Sequence, residues 1–201
     1  MAVSPSFELL KVAEADFPSR FGHFRIFGFE GHYPSGVEEA VVLRLGDTSG
    51  DPPLVRIHSQ CLTGDVFHSL RCDCRAQLEL ALYQIGEAGR GFLIYEHQEG
   101  RGIGLMNKLR AYELQDSGAD TVEANELLGF KADHRAYQLP GSILKHFGVE
   151  AVRLLSNNPD KINALERAGV RVIERVPCQV EPVSTTQDYL RTKKEKLGHL
   201  L

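Results

Sequence analysis

Three of the four cysteines in the chain lie close together, in the stretch CLTGDVFHSLRCDC, as Cys61, Cys72 and Cys74. Three thiolates form a soft ligand set that suits zinc. Structural zinc sites usually have four protein ligands, whereas three protein ligands and an open position are typical of catalytic zinc, which lowers the pKa of bound water to about 7. The spacing therefore favours catalytic zinc over the alternative, a closed structural site in which His58 or His68 is the fourth ligand.

A disulfide within this cluster is disfavoured by the sequence. Side chains two residues apart on a strand point to opposite faces, so a bond between Cys72 and Cys74 fits disulfide geometry poorly. The N-terminus also lacks the basic start and apolar core of a signal peptide, which indicates a cytoplasmic protein whose thiols stay reduced. The fourth cysteine, Cys178, is expected to be a small buried apolar residue.

A glycine-rich loop, HQEGRGIG at residues 97–104, follows a predicted strand and precedes a predicted helix. Its glycines would let the backbone approach a ligand closely, and the N-terminus of the following helix favours an anion. Arg101 adds a charge with bidentate geometry for phosphate. The glycine spacing matches neither a Walker A loop nor a dinucleotide-binding loop, so a plain tight turn is an equal alternative to a phosphate site.

A third polar loop, SNNPDK at residues 156–161, also follows a predicted strand. Asn158 can cap the next helix, with Pro159 at its first position, and Lys161 would suit a phosphate oxygen. The alternative is a well-capped helix with a surface lysine. Because α/β sheets bind ligands beyond their strand ends, the three loops together suggest hydrolysis of a nucleotide by metal-activated water.

The elements that must position these loops are strands first, then alternating helices and strands. The segments HFRIFGF, AVVLRL and PLVRIHS have strand patterns, and the alternation begins at residue 76. The pattern predicts an α/β fold: a single domain over residues 1–201, with a mixed β-sheet flanked by helices and more antiparallel in the N-terminal third. The basic tail at residues 190–201 is predicted to be a terminal helix or partly flexible, with its charges in solvent.

Composition argues against two classes of partner. The formal net charge is −4, with 42% hydrophobic and 25% charged residues, so nothing suggests a general nucleic-acid-binding surface. No apolar stretch approaches the roughly 20 residues that a membrane-spanning helix needs. We therefore expect neither nucleic acid nor membrane among the partners.

GTP cyclohydrolase II is the family that the chain resembles, in the segments RIHSQCLTGDVFHSLRCDCRAQL, HQEGRGIGLMNKLRAYELQD, DTVEANELLGFKADHRAY, RLLSNNPDK and KLGHLL. The resemblance implies an enzyme that opens the imidazole ring of GTP and releases formate and pyrophosphate. The remaining product is a diaminopyrimidinone ribosylamine phosphate, the first intermediate of riboflavin biosynthesis. The resemblance also implies zinc, magnesium with the triphosphate, a mixed α/β fold and a homodimer.

The resemblance carries site residues over to matching positions of this chain. Zinc would be held by Cys61, Cys72 and Cys74. GTP would be contacted by Arg56, Ile57, His58, Ser59, Gln60, Gln77, Glu99, Gly100, Arg101, Thr121, Ser156 and Lys161. Asp133 matches the family's proton acceptor, and Tyr112 an aromatic position near the purine. Arg135 matches a proposed nucleophile toward the α-phosphorus; because arginine is rarely deprotonated, stabilising charge on the phosphate is its alternative role.

Two positions depart from the family pattern. Gln60 replaces a frequent glutamate, although its amide oxygen can still accept a hydrogen bond, and Arg75 replaces a frequent glycine beside the last thiol. Arg75 could tune the thiolates or be merely solvated. Two rival functions are a paralogue that stops at the formamidopyrimidine, which Tyr112 argues against, and a non-catalytic zinc-stabilised nucleotide-binding protein. The chain is expected to be monofunctional.

Overall fold

Seven strands form one mixed sheet in the computed structural model, which describes residues 7–130, 137–181 and 186–200. The strands are β1 (Glu8–Ser19), β2 (Gly22–Tyr33), β3 (Gly36–Leu45), β4 (Leu54–Ser59), β5 (Gly91–Glu96), β6 (Ala151–Leu155) and β7 (Arg171–Val176). Their order across the sheet is β1-β2-β3-β5-β4-β6-β7. The pairs β1/β2, β2/β3 and β3/β5 are antiparallel. The pairs β5/β4, β4/β6 and β6/β7 are parallel. This confirms the predicted α/β fold with an antiparallel N-terminal part.

Seven helices accompany the sheet within the described residues. They are α1 (Leu62–Asp65), α2 (Cys74–Ala88), α3 (Leu105–Asp116), α4 (Thr121–Leu127), α5 (Gln138–His146), α6 (Pro159–Arg167) and α7 (Gln187–Leu197). A 3₁₀ turn spans Glu99–Gly102. No helix in the described ranges has the length and apolar character needed to cross a membrane.

Strand β1 and helices α1 and α4 have no counterpart among the predicted elements. Most residues of β1 are exposed and its pairing with β2 shifts between Lys11 and Ala13, so its apolar residues do not alternate cleanly. Helix α4 has only seven residues. Its start carries a capping box, in which Asp120 accepts backbone N–H bonds and Glu123 bonds back to the cap.

The central strands are buried because helices cover both faces of the sheet. Side chains alternate along β5: Phe92 and Ile94 belong to the apolar core that includes α5 and α6, whereas Leu93 belongs to the core that includes α2. Cys178 is fully buried in the second core, as predicted. Strands that are covered on both faces have nearly continuous apolar sequences. This feature explains why β4, β5 and β6 can be recognised from the sequence.

The C-terminal helix does not leave all of its charges in solvent. Lys193 is 9% exposed, and its Nζ donates to Asp73 Oδ1 at 2.8 Å. Lys196 pairs with Asp120, which caps α4, and with Glu123 of α4. The Leu200 N–H donates to the Asn157 carbonyl. The helix is one of the two predicted alternatives, but the prediction of a purely solvated charged face is wrong for Lys193.

Candidate metal centre and ligand cleft

The three thiols of the cysteine cluster meet in space. The Sγ atoms of Cys61, Cys72 and Cys74 all lie within 4.8 Å of one another, and those of Cys61 and Cys72 are 3.7 Å apart. All are free thiols. Among the described residues, this group of possible metal ligands contains the three cysteines and no histidine, so the structure does not supply the fourth ligand of a closed site from His58 or His68.

The loop after β4 explains how the first thiol is held. The buried Asp65 carboxylate accepts the Cys61 N–H at 3.0 Å and the Tyr95 hydroxyl at 2.8 Å, and it lies 3.1 Å from Nε2 of His58. His58 therefore supports the loop through Asp65. Burial lowers the pKa of His58 below its usual value, which favours the neutral ring.

Gly64 is required by the closeness of the thiols. A Cβ atom at this position would lie 2.9 Å from the Cys72 Sγ and 3.1 Å from the Cys61 Sγ. Real Cβ atoms do not approach sulfur so closely, so any side chain at residue 64 would displace a thiol. The preceding residue, Thr63, places its hydroxyl 3.1 Å from the Tyr112 hydroxyl and 3.7 Å from the Cys61 Sγ. Tyr112 therefore lies beside the thiol cluster.

The donor set fits a soft divalent cation. Hydrogen bonds from Cys72 and Cys74 hold the pKa of Cys61 well below its usual range, and the nearby Lys108 ammonium acts in the same direction. The same bonds raise the pKa of Cys72 to about 11 and the pKa of Cys74 well above its usual value. One thiol of the cluster is thus readily deprotonated, and a cation bound to the three sulfurs would displace the protons of the other two.

A cleft of about 1100 Å³, including its part open to solvent, begins at the thiols. It lies beyond the ends of β4, β5 and β6, whose parallel arrangement brings their carboxyl ends to one edge of the sheet. Residues of α3, α4 and α7 also line it. The predicted site residues that line the cleft are Arg56, His58, Ser59, Gln60, Cys61, Cys72, Cys74, Gln77, Glu99, Gly100, Arg101, Tyr112, Thr121, Ser156 and Lys161.

Ile57 is the predicted contact residue, among those described, that does not line the cleft. Its side chain is fully buried in the apolar core, and its carbonyl accepts a hydrogen bond from Lys161 at 2.8 Å. Asp133 and Arg135 lie outside the described residues.

Two buried cations line the cleft where β4 and β6 separate. Backbone pairing between these strands is confined to Leu54 and Val55 on the β4 side. After this pairing ends, Arg56 donates to the Leu155 carbonyl at 3.0 Å and to Gln77 at 2.7 Å. Lys161 donates to the Ile57 carbonyl of β4. Arg56 Nε is buried without a hydrogen-bond partner in the described part of the chain. The cleft therefore offers positive charge to an anion.

The loop after β5 is a strained turn. Gly100 and Arg101 both have left-handed backbone angles, with φ of 63° and 60°. For arginine this conformation is unfavourable, and such strain is concentrated at functional sites. The Glu99 carboxylate is occupied within the protein, because it accepts the Leu62 N–H at 2.6 Å and the Lys108 ammonium at 2.7 Å. Glu99 thus ties this turn to the cysteine loop.

The loop after β6 has the predicted cap. Asn158 Oδ1 accepts the Asp160 N–H at 2.9 Å, and Pro159 opens α6. The Ser156 hydroxyl accepts the Asn158 N–H at 3.1 Å. Lys161 is 5% exposed, so the alternative of a surface lysine is wrong.

The two unusual positions of the sequence have different surroundings. Gln60 lines the cleft. Arg75 donates to the Asp65 carbonyl at 2.6 Å and to Glu79 at 2.9 Å, and it is not among the residues that line the cleft. Arg75 therefore connects the cysteine loop to α2.

Several site residues were missed from the sequence. They are Thr63, Gly64, Asp65, Arg71, Asp73, Lys108 and Lys193. Five of them lie inside the quoted cysteine motif, so the close spacing of the thiols was a usable signal for Thr63, Gly64, Asp65, Arg71 and Asp73. Lys108 and Lys193 had no such signal, because their partners are distant along the chain and a helical lysine is usually solvated.

The fold and the site together define an α/β protein in which a thiol cluster able to hold a metal ion opens onto a cationic ligand cleft. A family model described as GTP cyclohydrolase II matches residues 10–177. A curated relative from Histophilus somni, named GTP cyclohydrolase-2, is 54% identical over 191 residues, 94% of this chain and 88% of that protein. One of the same name from Yersinia pseudotuberculosis is 53% identical over 199 residues, 96% of this chain and 98% of that protein. The chain belongs to the GTP cyclohydrolase II family.

Among solved structures, a two-domain 3,4-dihydroxy-2-butanone 4-phosphate synthase from A. baumannii is similar at 16% identity and a TM-score of 0.43. The match covers 83% of this chain and 40% of that chain. A likeness this low carries no argument about function.

Proposed function

We propose that the protein is a zinc-dependent GTP cyclohydrolase II that opens the imidazole ring of GTP. It would release formate and pyrophosphate and leave a diaminopyrimidinone ribosylamine phosphate, in the first step of riboflavin biosynthesis. Family membership gives the reaction class. The structural observation that carries the proposal is that three thiols and two buried cations, Arg56 and Lys161, line one cleft.

The thiols of Cys61, Cys72 and Cys74 would hold zinc. When bound there, zinc would supply the activation of water for attack on the purine ring. The protein's own contribution near this point is orientation: Thr63 fixes the Tyr112 hydroxyl beside the thiols, and the Arg71 guanidinium lies 4.8 Å from the centre of the Tyr112 ring. We assign Tyr112 to the purine side of the cleft.

The cationic side of the cleft suits the triphosphate. Arg56 and Lys161 would neutralise phosphate charge together with Arg101 and a magnesium ion that arrives with GTP. We keep the remaining cleft-lining residues predicted above as substrate contacts. Asp133 would move protons during ring opening and Arg135 would act at the α-phosphate, as the family resemblance implies.

The test is to incubate the zinc-loaded protein with GTP and magnesium and to quantify formate, pyrophosphate and the pyrimidine product by mass. We expect the three products in equal amounts. Cys72→Ser should abolish turnover, whereas Cys178→Ser, which changes a buried thiol outside the cluster, should retain it. Absence of formate with GTP still bound would instead identify a binding protein, and a retained formyl group would identify the single-hydrolysis paralogue.

The homodimer and the cytoplasmic location remain predictions. Analytical ultracentrifugation of the zinc-loaded protein should give twice the mass of the chain if the homodimer prediction is right.

A further inference from the structure

Lys108 is a largely buried lysine in the first turn of α3 whose contacts converge on one metal ligand. Its Nζ donates to the Cys61 Sγ at 3.1 Å and to Glu99 Oε1 at 2.7 Å. The side chain is only 11% exposed. A buried ammonium group is tolerated when it has charged or strongly polar partners, and here one of the partners is a sulfur atom of the thiol cluster.

The ion pair with Glu99 reinforces this contact. The second carboxylate oxygen of Glu99 accepts the N–H of Leu62, the residue directly after Cys61. The pair therefore fixes Cys61 at two points: Lys108 contacts its sulfur, and Glu99 accepts the N–H of the next residue. The link joins α3 and the turn after β5 to the loop after β4.

The charge of the ligand set gives Lys108 a role. Three thiolates around a divalent cation leave one net negative charge in a largely buried site. Hydrogen bonds to ligand sulfur tune such centres, and an ammonium donor also offsets the excess charge. Among the described residues, Cys61 is the one cluster thiol that accepts a hydrogen bond from a lysine or arginine.

The surroundings of Lys108 on its other side are aromatic. Its Nζ lies 5.8 Å from the centre of the Tyr112 ring, which belongs to the cleft. The ammonium group is thus near both the sulfur of Cys61 and the ring of Tyr112.

We propose that Lys108 is a positioning residue of the metal centre, whose ammonium group stabilises the Cys61 thiolate as a zinc ligand. This inference rests on the proposed zinc dependence. It assigns Lys108 no contact with GTP, so its effect is measurable without substrate.

The experiment measures zinc affinity by competition with a chromophoric chelator at fixed pH. Lys108→Met removes the charge, Lys108→Arg keeps a cationic donor, and Arg110→Met changes an exposed cation on the same helix as a control. We expect Lys108→Met to weaken zinc binding about 10- to 100-fold, the usual effect of losing a group that orients a metal ligand. Lys108→Arg should restore most of the affinity, and Arg110→Met should match the wild type.

A spectroscopic readout separates this role from general destabilisation. With cobalt in place of zinc, the sulfur-to-metal charge-transfer band should shift in Lys108→Met and not in Arg110→Met. If Lys108→Met does not fold, as judged by circular dichroism of the metal-free protein, the neutral polar variant Lys108→Gln takes its place in both measurements.

The outcomes distinguish the two proposals. Unchanged zinc affinity and an unchanged cobalt spectrum in the neutral variants would overturn the role of Lys108, even if the wild type hydrolyses GTP. Weakened zinc binding in the neutral variants, with no formate from the wild type, would support Lys108 and reject the proposed function. A wild-type protein that binds no zinc would overturn both.

Discussion

At the scale of single residues, the site depends on a glycine that has no room for a side chain. A Cβ at Gly64 would meet the Cys72 Sγ at 2.9 Å. We predict that Gly64→Ala displaces a ligand, lowers the free energy of unfolding by about 1–3 kcal/mol and reduces bound zinc. Gly28→Ala is the matched control, since its nearest heavy atom would be 3.9 Å away. Stoichiometric zinc in Gly64→Ala, measured by metal analysis, would contradict the prediction.

A second residue-scale prediction concerns acid stability. Burial lowers the pKa of His58, whereas a histidine in the unfolded chain has a pKa of about 6.5. Acidification therefore protonates the unfolded chain first. The stability contributed by neutral His58 is complete above about pH 6.5 and is lost as the pH falls from there toward the folded-state pKa.

Urea unfolding of the metal-free protein on both sides of that pH should show the loss in the wild type and a smaller loss in His58→Gln. His23→Gln changes a largely exposed histidine and is the control. An equal decline in wild type and His58→Gln would reject the assignment to His58.

At the scale of elements, the C-terminal helix is held by a buried ion pair. Lys193 and Asp73 are 2.8 Å apart, and their side chains are 11% and 4% exposed. Lys193→Met would leave the Asp73 carboxylate buried without its cation, at a cost of about 3–5 kcal/mol. The GTP KM should also rise, because α7 lines the cleft.

Lys194→Met, an exposed neighbour on the same helix, is the control for that change. Guanidinium unfolding gives the stability difference, and steady-state kinetics give KM and kcat separately. A Lys193→Met protein as stable as the control would show that the ion pair contributes little.

Element boundaries were predictable where a local signal existed. Asn158 and Pro159 mark the start of α6, and apolar runs mark β4, β5 and β6. The exposed edge strand β1 and the short α4 lacked a long periodic pattern. The long-range contacts of Lys108 and Lys193 could not be predicted, because no local pattern records which distant residue a lysine will meet.

At the scale of the whole molecule, the metal should couple to folding. Zinc that binds the folded chain and not the unfolded chain raises the free energy of unfolding by about 2.7 kcal/mol when the zinc concentration is 100 times the Kd. We therefore predict that chelation lowers the melting temperature and that added zinc restores it. Cys72→Ser should show no dependence of melting temperature on zinc, and Cys178→Ser should behave as the wild type.

The pairing of Lys193 with Asp73 also has a consequence for biosynthesis. During translation, the seven strands and the three cysteines of the cluster leave the ribosome before α7 emerges. Until then, the carboxylate between Cys72 and Cys74 lacks its lysine, and one wall of the cleft is missing. The nascent chain can therefore bring its thiols together early, but the pocket is complete only after α7 has emerged.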